Sequence, residues 1–488
     1  MIQRHQILGL GRLLIRTKPL HGAADDHGAG GLRRSFGFFS LTMLGVGATV
    51  GTGIFFALSE TVPKAGPAAI LSFLIAAMTA GLTALCYSEL SFRIPAAGSS
   101  YSYAYATFGE FVAYLIAACL LLEYGLAASA TSIGWSAYLN NFLQNAFNWQ
   151  IPGMLRSSMI TSGEHGVEIH PGRINLPPII LVVMCGVLLS RGAKDSTTTN
   201  SVMVVIKLAI LVFFAAVAFT GFRIENLTPF FNHDDSKGYA GMAGVTAAAG
   251  TVFFSFIGLD TVATAGEEVE NPTRNVPLGI LAALLIVTAC YLLVAVAAVG
   301  AQPAMRFEGQ EAGLAVILQN VTGKAWPALI LSAGAVISVF SVTLVTIYGQ
   351  TRILYAISRD GLIPKVFHRV NARTLAPVNS TIFVCVVVAL VAGFVDSAFL
   401  WDMVSMGTLV AFAVVSAAVP VLRREGIGAD SMGFRVPFGP YLIPGLSILS
   451  CAYIVEDLSA TTHMVFFICM GIAVISYFTY GIHNSRLN

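Results

Sequence analysis

The sequence predicts an all-α polytopic membrane protein with twelve transmembrane helices, and three observations predict it. Only 11% of the 488 residues are charged while 56% are hydrophobic, and the mean hydropathy is +0.78, a balance that excludes a soluble globular chain. Twelve apolar stretches approach the roughly 20 residues that a helix needs to cross a bilayer: 38–62, 67–93, 109–142, 176–190, 199–221, 242–266, 277–300, 326–357, 378–394, 399–422, 440–456 and 463–481. The first and the sixth are interrupted near their centres, which is unusual for a helix in hydrocarbon.

Span one reads LTMLGVGATVGTGIFFALS, with Gly45, Gly47, Gly51 and Gly53 in its middle. Glycine costs about 1 kcal/mol against alanine within a helix, and in a bilayer every freed backbone group needs another partner. A break is therefore tolerated where it lines a polar cavity. The N–H groups of Gly51, Thr52 and Gly53 begin the outer half-helix and suit a carboxylate, while the carbonyls that end the inner half near Thr49 suit a cation. A zwitterion such as an amino acid fits both. The same glycines could instead only let a neighbouring helix pack closely; a second broken span in a corresponding place favours the site.

Span two leads into SELSFRIPAAGSSYSYAYATFGE, where Pro95 and Gly98 break the helix and Tyr101, Tyr103 and Tyr105 alternate with small residues. This reads as a short helix under the bundle or as an interfacial aromatic belt. Span three carries Glu123 deep in LLLEYGLAASATSIGW. A carboxylate in mid-membrane costs about 2.5 to 3.5 kcal/mol on insertion scales, so it faces the interior and either carries function or makes a structural hydrogen bond. Span five places Lys207 among aliphatic residues. Burial disfavours its charged form, making it a candidate proton carrier or a fixed cation in the place of a coupling metal ion; the alternative is snorkelling toward the inner surface.

Span six, GMAGVTAAAGTVFFSFIGLDTVATAGEEVENPTRNVP, has Gly250 and Gly258 bracketing TVFFSFI, with an acidic turn after it. It matches span one five spans later, so spans one to five and six to ten read as two inverted halves. In span eight Thr343, Thr346 and Gln350 recur at helical spacing and either line a cavity or glue helices together. Spans eleven and twelve hold few polar residues and read as scaffold. The expected division is a tail at 1–34, spans one to five in 35–222, spans six to ten in 223–424 and the last two spans in 425–488.

Of the 27 Lys and Arg residues, nineteen fall on the side of the N-terminus, seven on the other and Lys207 within a span, so both termini are expected to be cytoplasmic. The tail lacks the apolar core of a signal peptide; Ile7, Leu8, Leu10, Leu13 and Leu14 could form a short surface helix. All seven cysteines lie in apolar spans without a CxxC pair and read as small hydrophobes. Neither HExxH, GxSxG nor GxxxxGK[ST] occurs, so an enzyme is not expected. No metal, cofactor or nucleic-acid partner is expected either.

GVGATVGTGIF at 45–55, SELSFRIPAAGSSYSYAY at 88–105, FFSFIGLDTVATAGEEVENPTRNVP at 253–277 and GQTRILYAISRDGLIP at 349–364 together resemble the amino acid–polyamine–organocation transporters. Within them the likeness is to the bacterial relatives of the cationic amino acid transporters. The resemblance implies a LeuT-like core of five plus five inverted spans with discontinuous helices one and six, two added spans, and alternating access around a midplane site. By position, it assigns the amides of Gly51, Thr52 and Gly53 to the substrate carboxylate. The carbonyls of Thr49, Phe254 and Ile257 are assigned to the ammonium, with Phe254 also a gate. Lys207 matches the span-five lysine of proton-coupled members, Glu123 the span-three acid of the cationic branch, and Thr346 the side-chain end of the pocket. The expected activity is proton-driven transport of L-amino acids, cationic or small neutral, across a bacterial cytoplasmic membrane, with exchange and non-transporting sensing as alternatives.

Overall fold

The computed structural model describes residues 16–17, 36–94, 98–163, 166–191, 196–265, 269–310, 312–371, 377–426 and 434–487. The expected surface helix at Ile7 to Leu14, Pro95 and the acidic turn after span six lie outside the described residues. The described chain is almost entirely helical, with eight helical runs long and apolar enough to cross a membrane and five shorter apolar helices. Helix is the form that satisfies every backbone polar group within its own segment, which hydrocarbon requires.

Span one is two helices, α1 (Phe38–Thr49) and α2 (Thr52–Ala65), separated at Val50 and Gly51. A tight turn at Gly66–Ala68 leads to α3 (Ala69–Arg93), then α4 (Ser100–Thr107) and the 38-residue α5 (Glu110–Phe147). A hairpin of β1 (Ile160–Gly163) and β2 (Gly166–Ile169) follows, then α6 (Leu176–Arg191) and α7 (Ser196–Phe219). Span six is α8 (Gly241–Phe253), a 3-10 turn at Phe254–Phe256, a further turn at 257–260 and α9 (Thr261–Thr264).

After it come α10 (Pro272–Ala301), α11 (Gly313–Thr322) and α12 (Ala325–Arg359). The rest is α13 (Val378–Phe394), α14 (Ser397–Arg424), α15 (Leu442–Glu456), α16 (Ala460–Ser476) and the terminal turn α17 (Ile482–Asn484). The helix α5 runs along α12 and α14, while α10 lies against α3, α1 and α7. The two interrupted helices are held between these groups. On α16, Met464, Phe467, Ile468, Ile472 and Ile475 are exposed, as suits a scaffold helix facing lipid.

Three local features differ from expectation. Gly250 does not bracket the break of span six; it sits inside α8, where Leu458 and Ile454 pack over it and the Ser405 hydroxyl donates to its carbonyl at 3.1 Å. Two elements arise where loops were expected, the hairpin and α11. Gly313–Thr322 is too short to register as a span, and its apolar side is buried by the bundle. Of the two readings of the tyrosine-rich segment, α4 takes the short helix and not the aromatic belt: Tyr101, Tyr103 and Tyr105 are all buried, and two of them hold acids. The Tyr101 hydroxyl donates to Asp360 Oδ2 at 2.7 Å and the Tyr105 hydroxyl to Glu110 Oε2 at 2.7 Å.

Glu110 gathers both ends of the chain. Besides Tyr105, its carboxylate receives Arg16 Nη2 at 2.7 Å, the Tyr477 hydroxyl at 3.0 Å and the Ser485 hydroxyl. Removing one partner of such a buried cluster strands the rest, at a cost of about 3 to 5 kcal/mol. Glu110→Ala is therefore expected to lower the melting temperature of the detergent-solubilised protein clearly, as read by intrinsic fluorescence; an unchanged midpoint would show that the cluster contributes no stability.

Candidate functional site

The last regular bond of α1 runs from the Val50 N–H to Val46 O at 2.8 Å. Beyond it the helix leaves carbonyls without an intrahelical donor, and the structure supplies two of them from other helices. Gly47 O takes Lys207 Nζ at 2.9 Å, reaching across from α7 with the lysine fully buried. Thr49 O lies 2.9 Å from the Tyr291 hydroxyl of α10, which is also 2.8 Å from Ser255 O in the break of span six. One phenolic proton is thus shared between the carbonyls of the two breaks.

The breaks also touch directly. A Cβ on Gly53 would stand 2.5 Å from Ser255 Cα, and one on Gly258 would stand 2.8 Å from Ala48 O. Gly258 has φ 104, a conformation for which glycine alone carries no penalty. A Cβ on Gly51 would meet Val342 of α12 at 2.6 Å. These three glycines let two irregular backbones and a third helix close around one point.

At that point lies a cavity of about 30 Å³, lined by Ala48, Thr49, Gly51, Gly53, Tyr124, Ala127, Thr131, Phe254, Ile257, Gly258, Thr261, Val342 and Thr346. By the roughly 10 to 15 Å³ that one water needs, it holds about two waters, a space smaller than an amino acid. The N-terminus of α2 opens on it without a capping side chain. Toward the hairpin end, Phe254 meets Trp401 edge-on with ring centroids 4.3 Å apart, and Trp401 stacks in turn on Phe56 at 6.4 Å.

The structure brings Thr49, Gly51, Gly53, Phe254, Ile257 and Thr346 together on this lining, and Thr52 begins α2 beside them. Thr49 O and Phe254 O already have donors, Tyr291 and the Ile257 N–H at 3.2 Å, and each carbonyl keeps a second lone pair. The Thr346 hydroxyl donates back to Val342 O at 2.9 Å. Lys207 stands behind α1 on its carbonyl. Glu123 is buried but does not line the cavity: its helix turns it toward Gly407 of α14. Among the described residues, neither carboxylate oxygen accepts a hydrogen bond. Among the described residues, no charged side chain lines the cavity.

Sequence reasoning passed over Tyr291, Asp260, Trp401 and Tyr124. Asp260, buried in the broken part of span six, accepts the Tyr124 hydroxyl at 2.8 Å on Oδ2. A lone acid within an apolar, glycine-broken segment is a signal that the membrane cost of charge makes legible. Tyr291 had none, because a tyrosine among aliphatic residues reads as packing. Tyr291→Phe removes the donor shared by Thr49 O and Ser255 O; leaving buried carbonyls unpaired costs about 1 to 3 kcal/mol. Weaker substrate binding together with a lower melting temperature is expected, and a variant equal to the parent in both would remove Tyr291 from the site.

Two interrupted helices meeting at a small cavity, within a bundle of apolar helices, fit the class of a membrane transporter. The amino acid permease family model matches residues 36–483, and the chain belongs to that family, in the amino acid–polyamine–organocation superfamily. It is 38% identical over 478 residues to the methylthioribose transporter of Bacillus subtilis (strain 168), covering 97% of this chain and 99% of that protein. It is 37% identical over 465 residues to the branched-chain amino acid permease BcaP of the same organism, covering 95% and 97%. Similarity to cationic amino acid transporter 4, vacuolar, of Arabidopsis thaliana is 36% over 415 residues, covering 84% and 67%.

Proposed function

We propose that the protein is a secondary active transporter that carries L-amino acids, cationic or small neutral, across a bacterial cytoplasmic membrane by proton-coupled alternating access. In this reading twelve spans form two inverted five-span halves and an added pair, with both termini cytoplasmic. The observation that carries it is the fully buried Lys207 donating to Gly47 O of a helix whose break lines the cavity. The energy source is the proton gradient, with no cofactor.

The substrate carboxylate is held by the amides of Gly51, Thr52 and Gly53 at the start of α2, where the helix dipole favours an anion. The ammonium is held by the remaining lone pairs at Thr49 and Phe254 and by the carbonyl of Ile257, and Thr346 faces the side chain. Phe254, against Trp401, is the gate on the hairpin side. Protonated Lys207 fastens α1 to α7; once deprotonated it loses the charge-assisted bond and frees α1 to move. Substrate binding shifts the balance of states only by its differential affinity for them.

The test is uptake of radiolabelled alanine and arginine into sodium-free proteoliposomes with and without an inward proton gradient. Gradient-stimulated uptake is expected. Uptake only into liposomes preloaded with amino acid makes the protein an exchanger, and binding without uptake makes it a sensor. A second reading, transport of a neutral thioether sugar, draws on the uncharged, hydroxyl-bearing lining and on the methylthioribose transporter relative; displacement of bound alanine by methylthioribose tests it.

A further inference from the structure

Resting on the amino acid reading above, we propose that the cavity selects neutral L-amino acids with small apolar side chains, and that Tyr124 sets this preference by walling the carboxyl of Asp260 off from the substrate. The side-chain surface of the cavity is made of Ala127, Thr131, Ile257, Val342 and Thr346. Two of these residues carry hydroxyls, and both donate to backbone carbonyls of their own helices, Thr346 to Val342 O at 2.9 Å and Thr131 to Ala128 O at 3.0 Å. A guanidinium or ammonium arriving there meets no counter-charge, and an unpaired buried cation is costly. An apolar side chain meets matching methyl groups.

Asp260, the acid that could supply the counter-charge, stands beyond the Tyr124 ring, whose hydroxyl it accepts. Successive residues on α5 point about 100° apart, so Tyr124 faces the cavity while Glu123 faces α14. The Tyr124 ring lies against Gly349 of α12, where an added Cβ would stand 2.5 Å from Cε1. Its hydroxyl is fixed by Asp260 Oδ2 at 2.8 Å and lies 3.3 Å from Thr261 Oγ1. Held at both ends, the ring cannot swing aside without losing these contacts. Asp260 itself lines a separate space of about 10 Å³ with Tyr87, Leu259, Ile280 and Phe412. The preference therefore depends on an aromatic wall rather than on the absence of acids.

The experiment is competition against radiolabelled alanine uptake in proteoliposomes by leucine, valine, arginine and lysine, for the parent, Tyr124→Phe and Tyr124→Ala. The neutral amino acids are expected to compete roughly 100-fold better than the basic ones in the parent, since an unpaired charge at membrane depth costs a few kcal/mol. Tyr124→Phe keeps the ring and is expected to keep the preference. Tyr124→Ala opens the cavity to the Asp260 carboxyl and is expected to raise arginine relative to alanine by roughly 10- to 100-fold, the range a charge-assisted hydrogen bond supplies.

Arginine competing as well as leucine in the parent overturns the proposal while leaving amino acid transport standing. So does a gain of arginine in Tyr124→Phe, or a folded Tyr124→Ala with the parent's preference. Should Tyr124→Ala fail to fold, the parent panel and Tyr124→Phe still decide. Absence of uptake of any amino acid by the parent is the separate failure of the transport reading.

Discussion

Lys207→Ala is expected to abolish the stimulation of uptake by a proton gradient while leaving the protein inserted and folded. The ammonium donates to Gly47 O, one of the carbonyls that the end of α1 leaves without an intrahelical partner. Loss of a hydrogen bond to a charged donor costs about 1.5 to 3 kcal/mol, or roughly 10- to 100-fold in the equilibrium it controls. Alanine also removes the ammonium, with its exchangeable proton, that holds this carbonyl of the broken helix. Lys207→Arg separates the two roles, because a guanidinium keeps the charge and does not deprotonate. Lys207→Arg is expected to bind substrate but to turn over poorly. The measurement is initial uptake rate against internal and external pH for the three proteins. Undiminished gradient stimulation in Lys207→Ala would end the assignment of proton coupling to this residue.

The features legible in the sequence are those that a bilayer makes costly. Gly51 and Gly53 stand out because glycine weakens a helix where no water can repair it, and Lys207 and Glu123 because charge is rare there. Position along the chain did not say which way each acid turns. Glu123 and Tyr124 are neighbours in sequence, yet only the tyrosine reaches the cavity, a difference of one helical step set by how α5 packs on α12 and α14. Gly250 misled for the converse reason: a glycine under Leu458 and Ile454 looks in sequence like a glycine at a break. Tyr291 and the Glu110 cluster depend on contacts between residues far apart in the chain, such as Tyr291 with Thr49 and Glu110 with Ser485. No local pattern encodes these.

Gly53→Ala is expected to abolish substrate binding without preventing folding of the bundle. The added methyl would stand 2.5 Å from Ser255 Cα, a backbone atom that cannot rotate away as a side-chain tip can. The first turn of α2 must then move from the 3-10 turn at Phe254–Phe256, and this displaces the amides proposed to hold the carboxylate. Overpacking of this kind costs about 1 to 3 kcal/mol in stability, less than the bundle as a whole commands. Small displacements at a binding constellation cost far more in function, since about 1 Å of misplacement can mean roughly 100-fold. Gly258→Ala combines a methyl 2.8 Å from Ala48 O with φ 104, and is expected to bind no better. Gly81→Ala is the control: its methyl would meet only Leu284 Cδ2 at 3.6 Å, an ordinary contact, so binding and transport are expected at the parent's level. Alanine binding by scintillation proximity on purified protein, beside its melting temperature, separates lost function from lost fold. If Gly53→Ala binds as the parent does, the close approach of the two broken helices is not what builds the site; if it binds nothing while Gly81→Ala binds normally, that approach is what the glycine is for.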